Sequence, residues 1–92
     1  MTKQNIGIVY GGKSAEHSIS LLTAKSIINA IDKEKYNVFP IFISLEGNWA
    51  KGEQIKSEIK DQNELRFTNF NSDISSLLFE DGRKFDLVFP VL

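Results

Sequence analysis

The chain has 92 residues, 41% of them hydrophobic and 25% charged, ordinary proportions for one small globular domain. Lys and Arg total 11 against 12 Asp and Glu, so the net charge of −1 gives no electrostatic footprint for nucleic acid or an anionic membrane. There is no cysteine and a single histidine, His17, which excludes disulfides, thiol catalysis, cysteine–zinc sites and a multi-histidine metal centre.

Residues 5–10 (NIGIVY) are apolar on both faces, as a buried parallel strand is, and Gly11-Gly12 ends the run. After the polar residues 13–18, Leu21, Ala24, Ile28 and Ile31 recur at helical spacing, with Ile27 on the flank of the stripe. Ser14 suits the N-cap, and Glu16 falls in the first turn, where a carboxylate complements the helix dipole. Residues 32–35 close this helix on the surface. Residues 36–44 (YNVFPIFIS) read as a second strand, which Pro40 pushes toward an edge or a bulge. Glu46-Gly47-Asn48 is a turn, and Trp49 opens a short return strand.

Residues 51–63 are polar, with Ile55 and Ile59 spaced for one weak helical turn. Residues 65–70 read as a further short strand, and 72–80 as a short helix with Ile74, Leu77 and Leu78 inward. Residues 81–83 form a turn, and 85–92 a last strand of buried type. No run approaches the ~20 apolar residues of a membrane span, and the start has no secretory pattern, so cytoplasmic residence is the expectation.

Strands alternating with helices imply an α/β fold with a mostly parallel sheet and a right-handed crossover. Ligands of such sheets sit outside the carboxyl ends of the strands. Leu92 stands at one such end, so the chain is expected to be a piece of a larger protein.

Two motifs carry candidate chemistry. Residues 7–14 (GIVYGGKS) satisfy the letters of a phosphate-binding P-loop, with Lys13 for the outer phosphates and Ser14 for magnesium. Ile8-Val9-Tyr10, however, read as strand rather than loop, so the match is taken as coincidence. The pair Gly11-Gly12 serves either as a plain tight turn or as a turn kept open for a ligand. Glu16 beside it has its charged form favoured by the helix N-terminus, which suits it to hold a substrate ammonium. Its plain alternative is a capping acid on a solvated helix start. His17 shows no partner and reads as a surface or packing residue. Ser18, Ser20, Thr23 and Ser26 read as helix surface, and Trp49 and the Phe residues as core.

The segment Gly11-Gly12-Lys13-Ser14-Ala15-Glu16-His17-Ser18-Ile19-Ser20-Leu21-Leu22-Thr23-Ala24 resembles the opening of the D-alanine–D-alanine ligases. That family follows a first strand with G-G-x-S-x-E-[HR]-x-[VI]-S-x-x-[ST]-A. Lys35-Tyr36 before a strand ending in Ile41-Phe42-Ile43, then Gly47-x-Trp49, agree in order. Residues 86–92 are similar to the strand that precedes the family's H-G-x-x-G-E-D-G signature. Ser18 departs from the family, which usually has Glu or Asp at that position.

The resemblance implies a three-layer Rossmann-like, pre-ATP-grasp domain over residues 1–92, the N-terminal substrate domain of an ATP-grasp ligase. It implies ligation of two D-alanines for peptidoglycan precursors through an acyl phosphate, in the cytoplasm, with ATP and Mg2+ bound outside this segment. Glu16 corresponds to the acid that orients the first D-alanine, with Gly11, Gly12 and Ser14 as the supporting loop. No catalytic or metal-binding residue is expected within residues 1–92, and this piece alone is expected to be inactive. The implied partners are D-alanine, the remaining ATP-grasp domains of the same chain and a second copy of the chain. Three other readings stay open at this point: a D-alanine–D-lactate ligase of the vancomycin-resistance type, a non-catalytic α/β small-ligand module, and a P-loop NTPase fragment.

Overall fold

The first apolar run becomes β1 (Gln4–Gly11), buried on both faces from Ile6 onward. The computed structural model describes residues 3–12, 17–68, 70 and 85–91. Within them follow α1 (His17–Ala30), β2 (Tyr36–Ile43), β3 (Trp49–Lys51), a 3-10 turn (Gln62–Leu65) and β4 (Leu87–Val91). The sheet order is β3-β2-β1-β4. β1 runs parallel to β2 on one side and to β4 on the other, while β3 returns antiparallel on β2. This is the expected α/β architecture with a mostly parallel sheet.

The helical stripe packs as the spacing predicts. Leu21, Ala24 and Ile28 are fully buried against the sheet, and Ile27 and Ile31 are partly buried against the same core. A helix of 14 residues is marginal in water, whereas each fully buried aliphatic side chain contributes ~1.5–3 kcal/mol. Tertiary burial therefore holds α1. The Lys33 ammonium donates to the carbonyls of Ile28 (2.6 Å) and Ile31 (3.3 Å), placing a cation on the helix's free carbonyl end. On the opposite face of the sheet, Val9, Ile41 and Ile43 pack with Trp49 and Phe85.

Among the strands and turns, the structure departs from the sequence expectations in four places. Pro40 sits in β2, an interior strand between β1 and β3, not at an edge. Its carbonyl accepts from Gly52 N–H (2.9 Å) on the β3 side. Within one residue of a strand, N and C=O face the same neighbour. The missing N–H therefore faces the spot where the short β3 has already ended, and one rung is lost rather than a ladder.

Ile55 and Ile59 form no helical turn. Ile55 bridges antiparallel to Val38. Ile59 is clasped by Asn29, whose amide donates to its carbonyl (2.9 Å) and accepts from its N–H (2.8 Å).

Residues 66–68 form no strand. A 3-10 turn precedes them, with Asp61 and Glu64 making a reciprocal capping box.

Among the described residues β4 is the outermost strand beside β1, with Leu87, Val88 and Phe89 respectively 53%, 40% and 46% exposed. Its apolar letters match a buried strand, but only Val91 is buried. The expected helix at 72–80 and turn at 81–83 lie outside the described residues.

Candidate functional site

The topology fixes where a site belongs. The chain leaves β1 through α1 to β2 on one side, and β4 lies on the other side of β1. The strand order thus reverses at β1, and in open α/β sheets ligands bind outside the carboxyl ends of the strands at such a switch point, here those of β1 and β4. Gly11 and Val91 are those ends.

Gly11 and Gly12 turn the chain away from β1 at φ of 94° and 104°, in the left-handed region that favours glycine. A Cβ on Gly11 would stand 2.3 Å from the Ile43 carbonyl oxygen, so no other residue fits there. Gly12 N–H donates to that same oxygen at 2.8 Å, tying the turn to the end of β2.

Ser20 ties the turn to the helix and to β4. Its hydroxyl accepts from Gly11 N–H (2.9 Å) and donates to the Val91 carbonyl. The expectation of a surface serine is thereby corrected: Ser20 is buried, whereas Ser18, Thr23 and Ser26 are exposed. Ser20 lies one helical step before Leu21 on the inward face, which is the signal the sequence offered.

His17 is the larger correction. It is 4% exposed and has partners on three sides. Nδ1 lies 2.8 Å from the Gly12 carbonyl. A carbonyl oxygen only accepts, so this bond puts the proton on Nδ1 and leaves Nε2 to accept from Arg66 Nη1 at 3.4 Å. The ring stands edge-on to Phe42, with centroids 5.6 Å apart. Sequence reasoning missed Arg66, because 49 residues separate it from His17. Arg66 is aimed by a second bond, from Nε to Asn63 Oδ1 (3.0 Å), within the 3-10 turn.

Phe42 also meets Tyr10, whose hydroxyl donates to the Leu65 carbonyl (2.7 Å). Burial pushes the Tyr10 phenol far above the ordinary tyrosine range, so it is a neutral donor and not an acid–base group.

Of the expected site residues, Gly11 and Gly12 stand at the switch point, and Ser14, Glu16 and Lys13 lie outside the described residues. Gly7 pairs with Phe39 and Val88 in the middle of β1. The residues a P-loop needs as loop are therefore strand, and the P-loop reading is discarded. Among the described residues no group of three His, Cys, Asp or Glu could hold a metal ion. No helix among them is long and apolar enough to cross a membrane. A cavity of about 400 Å³ lined by Pro40, Gly52, Leu65 and Phe67, among others, shares no residue with the glycine turn.

Residues 5–92 match the family described as D-ala D-ala ligase N-terminus. The whole chain is 50% identical over 95 aligned positions to the D-alanine--D-alanine ligase of Staphylococcus epidermidis, of which it spans 27%. Its fold resembles the VanG D-Ala:D-Ser ligase from Enterococcus faecalis, with a TM-score of 0.64 and 21% identity over 97% of this chain and 29% of that one. It also resembles the D-alanine-D-alanine ligase from Coxiella burnetii, with a TM-score of 0.55 and 34% identity over 71% of this chain and 17% of that one.

Proposed function

We propose, on the premise that this chain belongs to the D-ala D-ala ligase N-terminus family, that it serves an ATP-dependent ligase joining two D-alanines. The product would be a D-alanyl-D-alanine unit for peptidoglycan, made in the cytoplasm. The observation that carries the reading is the turn at the switch point of the sheet, where the Gly12 carbonyl accepts from His17, the residue that follows Glu16. The match over residues 5–92 and the 50% identity to a D-alanine--D-alanine ligase support it.

In this reading the first D-alanine binds outside the carboxyl ends of β1 and β4. Glu16 accepts hydrogen bonds from its ammonium, and the glycine turn with Ser14 supports the acid. A carboxylate there orients the amino acid without reacting, since an ammonium is neither nucleophile nor electrophile. The first D-alanine's carboxylate is activated as an acyl phosphate, with ADP leaving, and the amine of the second then displaces phosphate and loses a proton. ATP and Mg2+ supply that activation. The chain spans 27% of the ligase it matches, so we assign both to the remainder of the protein and expect this chain to be inactive by itself.

The test is Glu16→Gln in the full-length protein, which keeps the shape and removes the charge. A charge-assisted hydrogen bond is worth roughly 1.5–3 kcal/mol, so use of the first D-alanine should weaken by roughly ten- to a hundredfold. The KM for ATP should stay unchanged. Unchanged D-alanine kinetics with a lowered melting temperature would make Glu16 a capping acid only.

A further inference from the structure

Gly12 and His17 flank residues 13–16 in the sequence, and the Nδ1–H of one donates to the carbonyl of the other at 2.8 Å. The bond therefore joins the last residue of the glycine turn to the first residue of α1. The imidazole is held in its plane by two further contacts. Arg66 Nη1 meets Nε2 at 3.4 Å, and the Phe42 ring meets the imidazole edge-on at 5.6 Å. The Arg66 side chain is itself aimed by Asn63. A buried aromatic residue whose task is only to fill space would serve as well as phenylalanine. This one spends both ring nitrogens on polar partners from two separate segments.

We infer that His17 is a positioning residue: by clamping the Gly12 carbonyl in its Nδ1–H tautomer, it sets the spacing between the glycine turn and helix α1 on which binding of the first amino acid depends. This rests on the functional reading above and deepens it, since Glu16 immediately precedes His17. The role involves no proton transfer, because the Nδ1 proton stays with a carbonyl and Nε2 faces a guanidinium.

The test uses the full-length protein with His17→Phe and His17→Asn. Phenylalanine keeps the edge contact with Phe42 and loses both hydrogen bonds. Asparagine places an amide N–H close to the Nδ1 position and keeps the bond to Gly12. Long-range proton–nitrogen NMR of the wild-type imidazole should show Nδ1 protonated and Nε2 bare.

His17→Phe should raise the KM for the first D-alanine about tenfold, the effect of one well-placed hydrogen bond, with kcat and the KM for ATP within about threefold of wild type. His17→Asn should restore most of that loss, with melting temperatures alike in the two variants. An Nε2-protonated wild-type spectrum overturns the inference. So does a His17→Phe enzyme with wild-type D-alanine KM, or a pair of variants in which KM, kcat and melting temperature worsen together without rescue by asparagine. A wild type that releases no phosphate with D-alanine overturns the functional reading and this inference with it. An active wild type with an unaffected His17→Phe variant overturns this inference alone.

Discussion

Ser20→Ala removes a side chain that links β1, β4 and α1. The hydroxyl accepts from buried Gly11 N–H and donates to the Val91 carbonyl. Alanine leaves both groups without that partner. An orphaned buried donor costs ~1–3 kcal/mol, and loss of the bond to Val91 adds ~0.5–1.5 kcal/mol because a carbonyl at a strand end can still find water. Alanine returns ~0.5 kcal/mol as the better helix former. The net expected loss is ~1–4 kcal/mol, centred near 2. The control is Thr23→Ala, on the exposed side of the same helix, whose hydroxyl donates to the Ile19 carbonyl one turn earlier (3.0 Å). It should stay within ~0.5 kcal/mol of wild type. Amide hydrogen exchange of the full-length protein reads the effect locally. A loss near 2 kcal/mol should speed exchange at Gly11 by roughly thirtyfold. Less than threefold acceleration, or an equal effect from Thr23→Ala, would refute the account of how the sheet's carboxyl end is held together.

Ile28→Ala, at a fully buried position of α1, should cost ~2–5 kcal/mol, and an unchanged melting midpoint would contradict the packing of that face. Tyr10→Phe should cost ~1 kcal/mol at neutral pH through the lost bond to the Leu65 carbonyl. Because burial raises the folded-state pKa of this phenol, the stability it confers is whole below the unfolded value near pH ~10 and drains as pH rises beyond it, by up to ~1.4 kcal/mol per unit. Urea midpoints at pH 7 and 10.5 should therefore fall more for wild type than for Tyr10→Phe, and equal falls would disprove the coupling. Lys13→Ala in the full-length protein should leave ATP affinity within a few-fold, and a hundredfold loss in a nucleotide titration would restore a phosphate role to that residue.

The fold was legible where apolar spacing alone decides structure. β1, the stripe of α1, the return strand at Trp49 and the parallel pairing follow from periodicity and turn residues. Three features were not legible, each for a physical reason. Pro40 reads as an edge signal because a sequence does not show which neighbour its nitrogen faces; here that neighbour has already ended. β4 has the letters of a buried strand, yet burial depends on what lies on its outer side, which is not local information. The 3-10 turn was announced by Asp61 and Glu64 three residues apart, a signature overlooked because no apolar run follows it. In the site, Gly11 and Gly12 were readable because left-handed backbone demands glycine. The clamp on His17 was not, since Arg66 and Phe42 reach it only through the tertiary fold.

The two readings of the glycine pair, plain turn and ligand-holding turn, turn out not to compete at both positions. Gly11 is fully accounted for by the fold: any Cβ would collide with the Ile43 carbonyl, so glycine is required there whether or not a ligand binds. Its presence therefore carries no functional information. Gly12 differs, because its N–H is given to β2 while its carbonyl is given to His17. A carbonyl at a turn beside the carboxyl ends of strands is ordinarily solvated at no cost. Here it is instead matched to a buried imidazole whose far nitrogen meets a cation, which takes an arginine, an asparagine and a phenylalanine to arrange. On the proposed reading the functional weight of the motif rests on Glu16 and on the Gly12–His17 bond, and not on Gly11. Substitutions at Gly11 should accordingly be lost to misfolding before any effect on ligation is seen, whereas those at Glu16 and His17 should separate substrate affinity from stability.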